Sequence, residues 1–431
     1  MRAKPSPKIL SADLSYIRCL LAPCLFLLLA AGLISCHKSV APPDTSKTLS
    51  LPTGGQEVIS AGNQFALNFF GTVLQTDSTT PNKLISPFSI DMALYMLYNG
   101  SANATRDSIA KTLALSGISP GLLNAVSKAL IQQMPAEDSK VSLSIANSIW
   151  YKQNGPQPLP GFLDTITNDY NGYLQSLDFT NPASVGQVNS WVARNTNNKI
   201  PTILNSFTPN EVMLLINAIY FNGAWEYAFN TSDTYNAPFY LGNGSTVSTP
   251  FMYLTLTTRI YRDPAYTLLE LPYGSGKNFD MYVVLPAGQQ QSLTDFAASF
   301  SNTALSNGLS RLDSQQIGLF LPKWEASYTI PDMKPNLAAL GMSLAMDRTA
   351  ADFSNMYSTR VYLSQAVHKT YIDVSETGTE AAATTSIGIS TAVIGPDIHA
   401  IRVDHPFLYF ITEKQTGAIL FIGMLDDPTQ N

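Results

Sequence analysis

Cysteine is scarce in this chain: Cys19, Cys24 and Cys36 are all that occur in 431 residues. Two of them fall inside an N-terminal segment with the marks of an export signal, so its removal leaves Cys36 alone. An intramolecular disulfide is then excluded, even beyond the membrane where disulfides normally form. A metal site built on Cys19 and Cys24 fails for the same reason, because those thiols leave with the signal. Charge is also sparse, at 13% of residues with a formal net charge of −6, and no basic run or stripe is present. Nucleic acid is thereby removed as a partner. Stability must come from a large apolar core, for which a hydrophobic fraction of 45% provides the material.

The first 35 residues differ from the rest. Arg2, Lys4, Lys8 and Arg18 precede an apolar run from Leu20 to Ile34, interrupted by Pro23. That run is short of the roughly 20 apolar residues a membrane helix needs, and a basic start with a small-residue end describes a secretory signal. Its end, Leu33-Ile34-Ser35-Cys36, resembles the lipobox of bacterial lipoproteins. The resemblance implies that residues 1–35 are a lipoprotein signal peptide. Cys36 would take the lipid and hold the chain to the bacterial cell envelope, on its periplasmic or extracellular face. A plain cleaved signal and an uncleaved anchor helix are the simpler readings of the same segment. The leader carries four basic residues and Asp13, a net +3, so the mature chain stands at −9. Residues 36–55, rich in Ser, Thr, Pro and Gly, read as a flexible tether.

From Gln56 onward the pattern becomes periodic. Val58, Phe65, Leu67, Phe69, Phe70 and Leu74 recur at helical spacing, and Ile90–Tyr98, Ile109–Leu113, Leu122–Ile131 and Val188–Asn195 read as further helices. Val141–Tyr151 alternates as a strand, and Glu211–Phe221 begins as a turn and becomes one. Beyond residue 220 strands dominate. Thr267–Leu271 and Phe279–Leu285 flank a turn and form a hairpin. Ile317–Phe320, Val361–Val367, Tyr371–Val374, Phe407–Ile411 and Ile419–Met424 complete the strands. Gly274-Ser275-Gly276-Lys277 is no phosphate loop, since the first glycine is missing and a strand follows the lysine. No linker divides residues 56–431, which read as one α+β domain.

The informative stretch is Glu376 to Pro406. Thr379, Ala381, Ala383, Thr385, Ile387 and Ile389 form one alternating set, small and then apolar. Glu380, Ala382, Thr384, Ser386, Gly388 and Ser390 form the other, polar or tiny. This is the pattern of a half-buried strand, and no proline interrupts it. Such a segment can be a loop in one state and a strand in another. Glu376 to Thr385 closely resembles the hinge of inhibitory serpins: a Glu, then Gly-Thr-Glu and a run of small residues.

The resemblance extends over residues 56–427. Ser86-Pro87-Phe88-Ser89-Ile90 resembles the family's start of a helix beneath the main sheet, and Trp191 to Leu204, with Asn197-Asn198-Lys199-Ile200, matches a helix and turn. Asn217 to Trp225 is similar to the strand carrying a family Asn and Trp. Leu340-Gly341-Met342, Ala351 to Ser354 and Val367-His368-Lys369 continue in order. Asp404-His405-Pro406-Phe407 and Gly417 to Gly423 resemble the closing strands.

The resemblance implies a single large domain over residues 56–431, with helices packed on a central, mostly antiparallel sheet, two further sheets and an exposed reactive-centre loop. It implies no catalyst, cofactor or metal, but a monomeric suicide substrate for a serine (or cysteine) protease. The protease attacks the loop and forms an acyl-enzyme. The cut loop then inserts into the central sheet and carries the trapped protease with it as a covalent complex. A dozen residues bonded on both edges, at about 1 kcal/mol net per bond, give on the order of 10–20 kcal/mol before the cost of opening the sheet. In that scheme Glu376, Gly378, Thr379, Glu380, Ala381, Ala382 and Ala383 are the hinge. Ser86, Ser89, Asn217 and His368 form a latch where the sheet parts, Trp225 packs at the hinge, and Lys323 pairs with Glu376.

The family register places the attacked bond at Ala392-Val393, which suits a protease with a small apolar pocket of the elastase kind. The loop is about three residues longer than in familiar relatives, so Thr391 or Val393 could be the recognised residue instead. The bait region lacks Lys and Arg until Arg402, which disfavours a trypsin-like target. A Ser–His nucleophile pair is the enzymatic alternative, but no Gly-x-Ser-x-Gly elbow accompanies it. The remaining alternative is a non-inhibitory member of the fold, a binding lipoprotein at the cell surface.

Overall fold

The computed structural model describes residues 47–208, 211–289, 292–379 and 399–430. Its helices begin where the sequence supplies caps. Helix α1 (Gly55–Thr76) buries Val58, Phe65, Phe69 and Phe70 along one stripe. Helix α2 (Pro87–Gly100) starts behind Ser86, whose hydroxyl accepts the Ser89 N–H, with proline in the first turn. After α3 (Asn103–Thr112) the same device recurs, with Ser119 before α4 (Pro120–Gln133). Helix α5 (Pro160–Tyr170) is stopped by Asn171 in the left-handed region, and Asn181 caps α6 (Pro182–Asn195). Three short helices follow: α7 (Leu293–Ser299), α8 (Asn302–Ser310) and α9 (Lys334–Ala339). Ahead of α1, Leu49 is buried and its N–H reaches Gln415 Oε1, while Ser50 exchanges bonds with the Gln133 side chain. The last residues of the stretch that composition assigns to the tether are therefore pinned to the domain.

In chain order the strands are β1 Lys83–Ile85, β2 Val141–Lys152, β3 Tyr173–Leu177, β4 Met213–Ala224, β5 Tyr235–Tyr240, β6 Thr246–Arg262, β7 Tyr266–Tyr273 and β8 Phe279–Pro286. They continue as β9 Asp313–Pro322, β10 Trp324–Ile330, β11 His368–Ser375, β12 Gly378–Thr379, β13 His399–Arg402, β14 Phe407–Glu413 and β15 Ile419–Leu425. A six-stranded sheet runs β10-β11-β12-β4-β2-β3, antiparallel except for the β2–β3 pair. A nine-stranded sheet runs β1-β15-β14-β8-β7-β6-β9-β13, with β5 added to β6. Two of the three expected sheets are thus one hydrogen-bonded unit. The 17-residue β6 joins them, pairing with β5 at its start and β7 at its end.

The main core lies between α1, α2 and the inner faces of both sheets. A second cluster, built on Trp150, Trp191, Val192, Leu214 and Ile216, packs α6 on the outer face of the six-stranded sheet. Alternate β4 residues therefore serve different cores, one set facing α2 and the other α6.

The strand expected over Val361–Val367 does not form; the segment is irregular until β11 begins at His368. Its would-be partner explains this. The β10–β11 ladder ends at Ile330↔His368, and the next residue on that side is Pro331, which has no N–H to offer. Backbone bonds in this region go elsewhere: Leu363 N–H to Ala345 O, and Met333 N–H to Ala366 O.

Candidate functional site

The six-stranded sheet has an open place. Strand β4 is zipped to β2 from Met213↔Tyr151 to Gly223↔Val141, and β11 is zipped to β10 from His368↔Ile330 to Val374↔Trp324. Among the described residues, only the two-residue β12 stands between β11 and β4, with Thr379 opposite Val374 and Gly223, and Gly378 opposite Ser375 and Ala224. Below it, among the described residues, nothing pairs the facing edges of β11 and β4. There lies a cavity of ≈ 160 Å³ lined by Ile90 and Leu94 of α2, Met213, Leu215 and Asn217 of β4, and His368. Facing strand edges with unpaired N–H and C=O groups over an apolar floor are a template for one more strand.

The upper end of this place is built around Glu376 and β12. Glu376 is buried, yet its carboxylate has partners: Lys323 Nζ at 2.7 Å and the Thr234 hydroxyl at 2.8 Å. Burial pushes its pKa up, but the Lys323 and Thr234 bonds outweigh that and hold it below the usual value. The Glu376 carbonyl accepts the Phe229 N–H, and Trp225 donates its N–H to Thr377 O and its indole N–H to Ser375 O. Gly378 has φ +148°, and a Cβ there would sit 2.1 Å from the Gly223 carbonyl oxygen, so only glycine fits this crossing. Thr379 is 2% exposed, and its hydroxyl lies 2.5 Å from that of Tyr273, a phenol stacked on Trp225 at 4.4 Å. Tyr273 escaped the sequence reading. Nothing in a tyrosine that ends a hairpin strand marks it as the ring beneath a strand more than 100 residues away.

At the lower end the four latch residues do not form one cluster. His368 Nε2 accepts the Ser86 N–H at 3.0 Å, Ser86 Oγ donates to Leu420 O, and Ser89 N–H caps onto Ser86 Oγ. Burial drives the His368 pKa down to about 3, so the ring is neutral, and the accepting Nε2 puts its proton on Nδ1. Asn217 lies on the β4 side, donating to Asn147 Oδ1 at 2.8 Å, and its own Oδ1 is buried without a partner. The polar groups are thus divided between the two banks of the opening rather than joined across it. The Ser–His nucleophile reading fails on this geometry, because His368 meets the Ser86 backbone and not its hydroxyl. The Gly274–Lys277 turn is likewise no anion cradle: Gly276 N–H is taken by Asp138 and Lys277 by Glu226.

Glu380, Ala381, Ala382, Ala383, Thr391, Ala392, Val393 and Cys36 lie outside the described residues. Among the described residues, no group of three His, Cys, Asp or Glu is placed to hold a metal ion.

Comparison with known proteins decides the family. The family model described as serpin (serine protease inhibitor) matches residues 60–428. The chain belongs to the serpin family. Leukocyte elastase inhibitor A of Mus musculus is similar at 31% identity, over 86% of this chain and all of that one. Among solved structures, the native state of the thermophilic serpin tengpin matches with a TM-score of 0.78 and 29% identity, covering 90% of this serpin and 97% of that chain. Human thyroxine-binding globulin, solved with thyroxine, matches as well, with a TM-score of 0.78 and 28% identity over 87% of this chain and 100% of that one. The serpin fold, one domain of helices with a large mixed sheet and a second sheet, accounts for the architecture, and the opening between β11 and β4 lies in the six-stranded sheet. Serpins are mostly protease inhibitors, but some members are not.

Proposed function

We propose that this serpin is a suicide-substrate inhibitor that traps a protease by drawing its cleaved loop into the place between β11 and β4. The observation that carries the reading is β12, two hinge residues paired on both edges above an opening that no other described residue pairs across. Continued in the same register, the arm would put Ala381 opposite Phe221 and Ile372, and Ala383 opposite Ile219 and Thr370. Thr385 would come opposite Asn217 and His368, and Ile387 and Ile389 opposite Leu215 and Met213. The fit to the sequence pattern is close. Small side chains would meet the buried upper part, where Phe221, Ile219 and Ile372 leave little room. The one hydroxyl would arrive beside the unpartnered Asn217 Oδ1, and the two isoleucines would reach the apolar cavity by α2. Glu380, Thr384 and Ser386 would face the other side.

The target follows from the bait. With Ala392 as the recognised residue, an elastase-like serine protease or another with a small apolar pocket is preferred. Export with a lipid on Cys36, in a monomer at the cell envelope, completes the proposal, and the mass of the N-terminal peptide from native membranes tests that part. For inhibition, the chain is incubated with a small-pocket serine protease and run on a denaturing gel. An SDS-resistant complex, and a higher melting temperature after loop cleavage, are expected. A clean nick with neither would contradict the reading. The likeness to thyroxine-binding globulin keeps a second reading in view, a binding protein, which a ligand-induced thermal shift of the uncleaved chain would reveal.

A further inference from the structure

Tyr273 carries a role that inhibition alone does not assign. Its ring is fully buried, stacked on Trp225 with an 11° interplanar angle and met edge-on by Phe221 at 5.0 Å. Its hydroxyl points at Thr379, and that bond links the floor of the nine-stranded sheet to the hinge in the six-stranded one. Gly223, where a Cβ would strike the Tyr273 ring at 2.8 Å, lets the phenol lie directly under β12. Were the hinge to leave, the phenol would remain in an aromatic surround without a hydrogen-bond partner, and the Gly378 and Thr379 rungs would open together. A buried hydroxyl left unpaired shifts such an equilibrium by about five- to a hundredfold.

We propose that Tyr273 is a positioning residue that holds the hinge docked in the sheet of the uncleaved protein, so that loop insertion starts from two rungs already made. The inference rests on the reading of the arm as an inserting strand. The docked hinge is nevertheless a property of the uncleaved chain and is tested without any protease. Docking also bears on the outcome of cleavage. An arm that begins inside the sheet has less distance to cover before the acyl-enzyme hydrolyses, so loss of the bond favours turnover of the inhibitor as a plain substrate.

The experiment is hydrogen exchange on the intact, uncleaved protein, reading the peptide that contains Gly378 and Thr379. Tyr273→Phe keeps the ring and its stacking but removes the bond, and should speed exchange there about tenfold. Thr379→Val should do the same, Thr379→Ser should match the parent, and the double variant should be no faster than either single one. Tyr409→Phe, which alters a buried phenol with no hydrogen bond to the hinge, serves as control and should leave exchange unchanged. Parent-like exchange in Tyr273→Phe, or additive effects in the double variant, would overturn the proposal. If exchange responds as expected but no protease is ever trapped, the latch stands and the inhibitory reading falls. If a covalent complex forms while exchange is unmoved, the reverse holds.

Discussion

Replacing Lys323 by methionine would remove the cation from Glu376 while keeping most of the volume at the base of the arm. The carboxylate is 9% exposed at its side chain and would retain only the Thr234 hydroxyl and backbone help, whereas Lys323 is 36% exposed. Because one partner is that open to water, solvent screening limits the loss to about 1–2 kcal/mol, above an exposed ion pair and below a fully buried one. For a domain of this size, with unfolding entropy near 2 cal/mol/K per residue, this corresponds to a fall of about 1–3 °C in Tm at neutral pH. The pH dependence is the sharper test. Glu376 is held below its unfolded value of 4.5, so its stabilisation is present above that pH and is lost as pH falls through the folded value. Without Lys323 the carboxyl loses the strongest bond that opposes burial, so its pKa moves up from the folded value and its stabilisation near neutrality shrinks. Thermal unfolding of both proteins from pH 3 to 8 should show curves that converge in acid and part towards neutrality. A gap independent of pH would refute the reasoning.

Three further outcomes follow from the same geometry. His368, whose pKa is lowered to about 3 by burial, binds its proton in the unfolded chain first; stability should fall as pH drops below 6.5, and His368→Gln should flatten that limb of the Tm profile. Asp91 on α2 is buried with Oδ1 unpartnered, and burial raises its pKa well above 3.8. Asp91→Asn should therefore match the parent near pH 3 and exceed it by about 1–3 kcal/mol at pH 8, read by denaturant unfolding. Gly378→Ala would force a Cβ against Gly223 O at a backbone angle costing about 1–3 kcal/mol. It should expel the hinge and lower the yield of SDS-resistant complex, while the Tm of the uncleaved protein stays near the parent's.

Much of this arrangement was legible because its causes are local. Periodicity places helices over Ile90–Tyr98, Leu122–Ile131 and Val188–Asn195, though the starts that Ser119-Pro120 and Asn181-Pro182 give the last two went unread, and alternation marks β2 and the β7–β8 hairpin. Other strands were equally plain but passed over: in Trp324–Ile330 buried and exposed residues alternate at every position. Val361–Val367 misled, because a strand exists only if its neighbour can pair, and Pro331 closes that ladder. The site was legible as a set of residues and not as a geometry. Asn217 and His368 stand on opposite banks of an opening whose presence depends on how β11 and β4 pack. Tyr273 acquires its role only when two sheets bring it beneath Thr379. Such juxtapositions are tertiary, and residue type carries no trace of them.

The central claim is that the arm becomes a strand between β11 and β4, and Ala381→Arg tests it most directly. In the continued register that side chain would lie between Phe221 and Ile372, both buried, where a guanidinium has no partner and no water. The variant should be cut by its protease as fast as the parent, yet leave no SDS-resistant complex and gain no thermal stability on cleavage. Should Ala381→Arg trap the protease at the parent's stoichiometry, the arm does not go where the open place invites it.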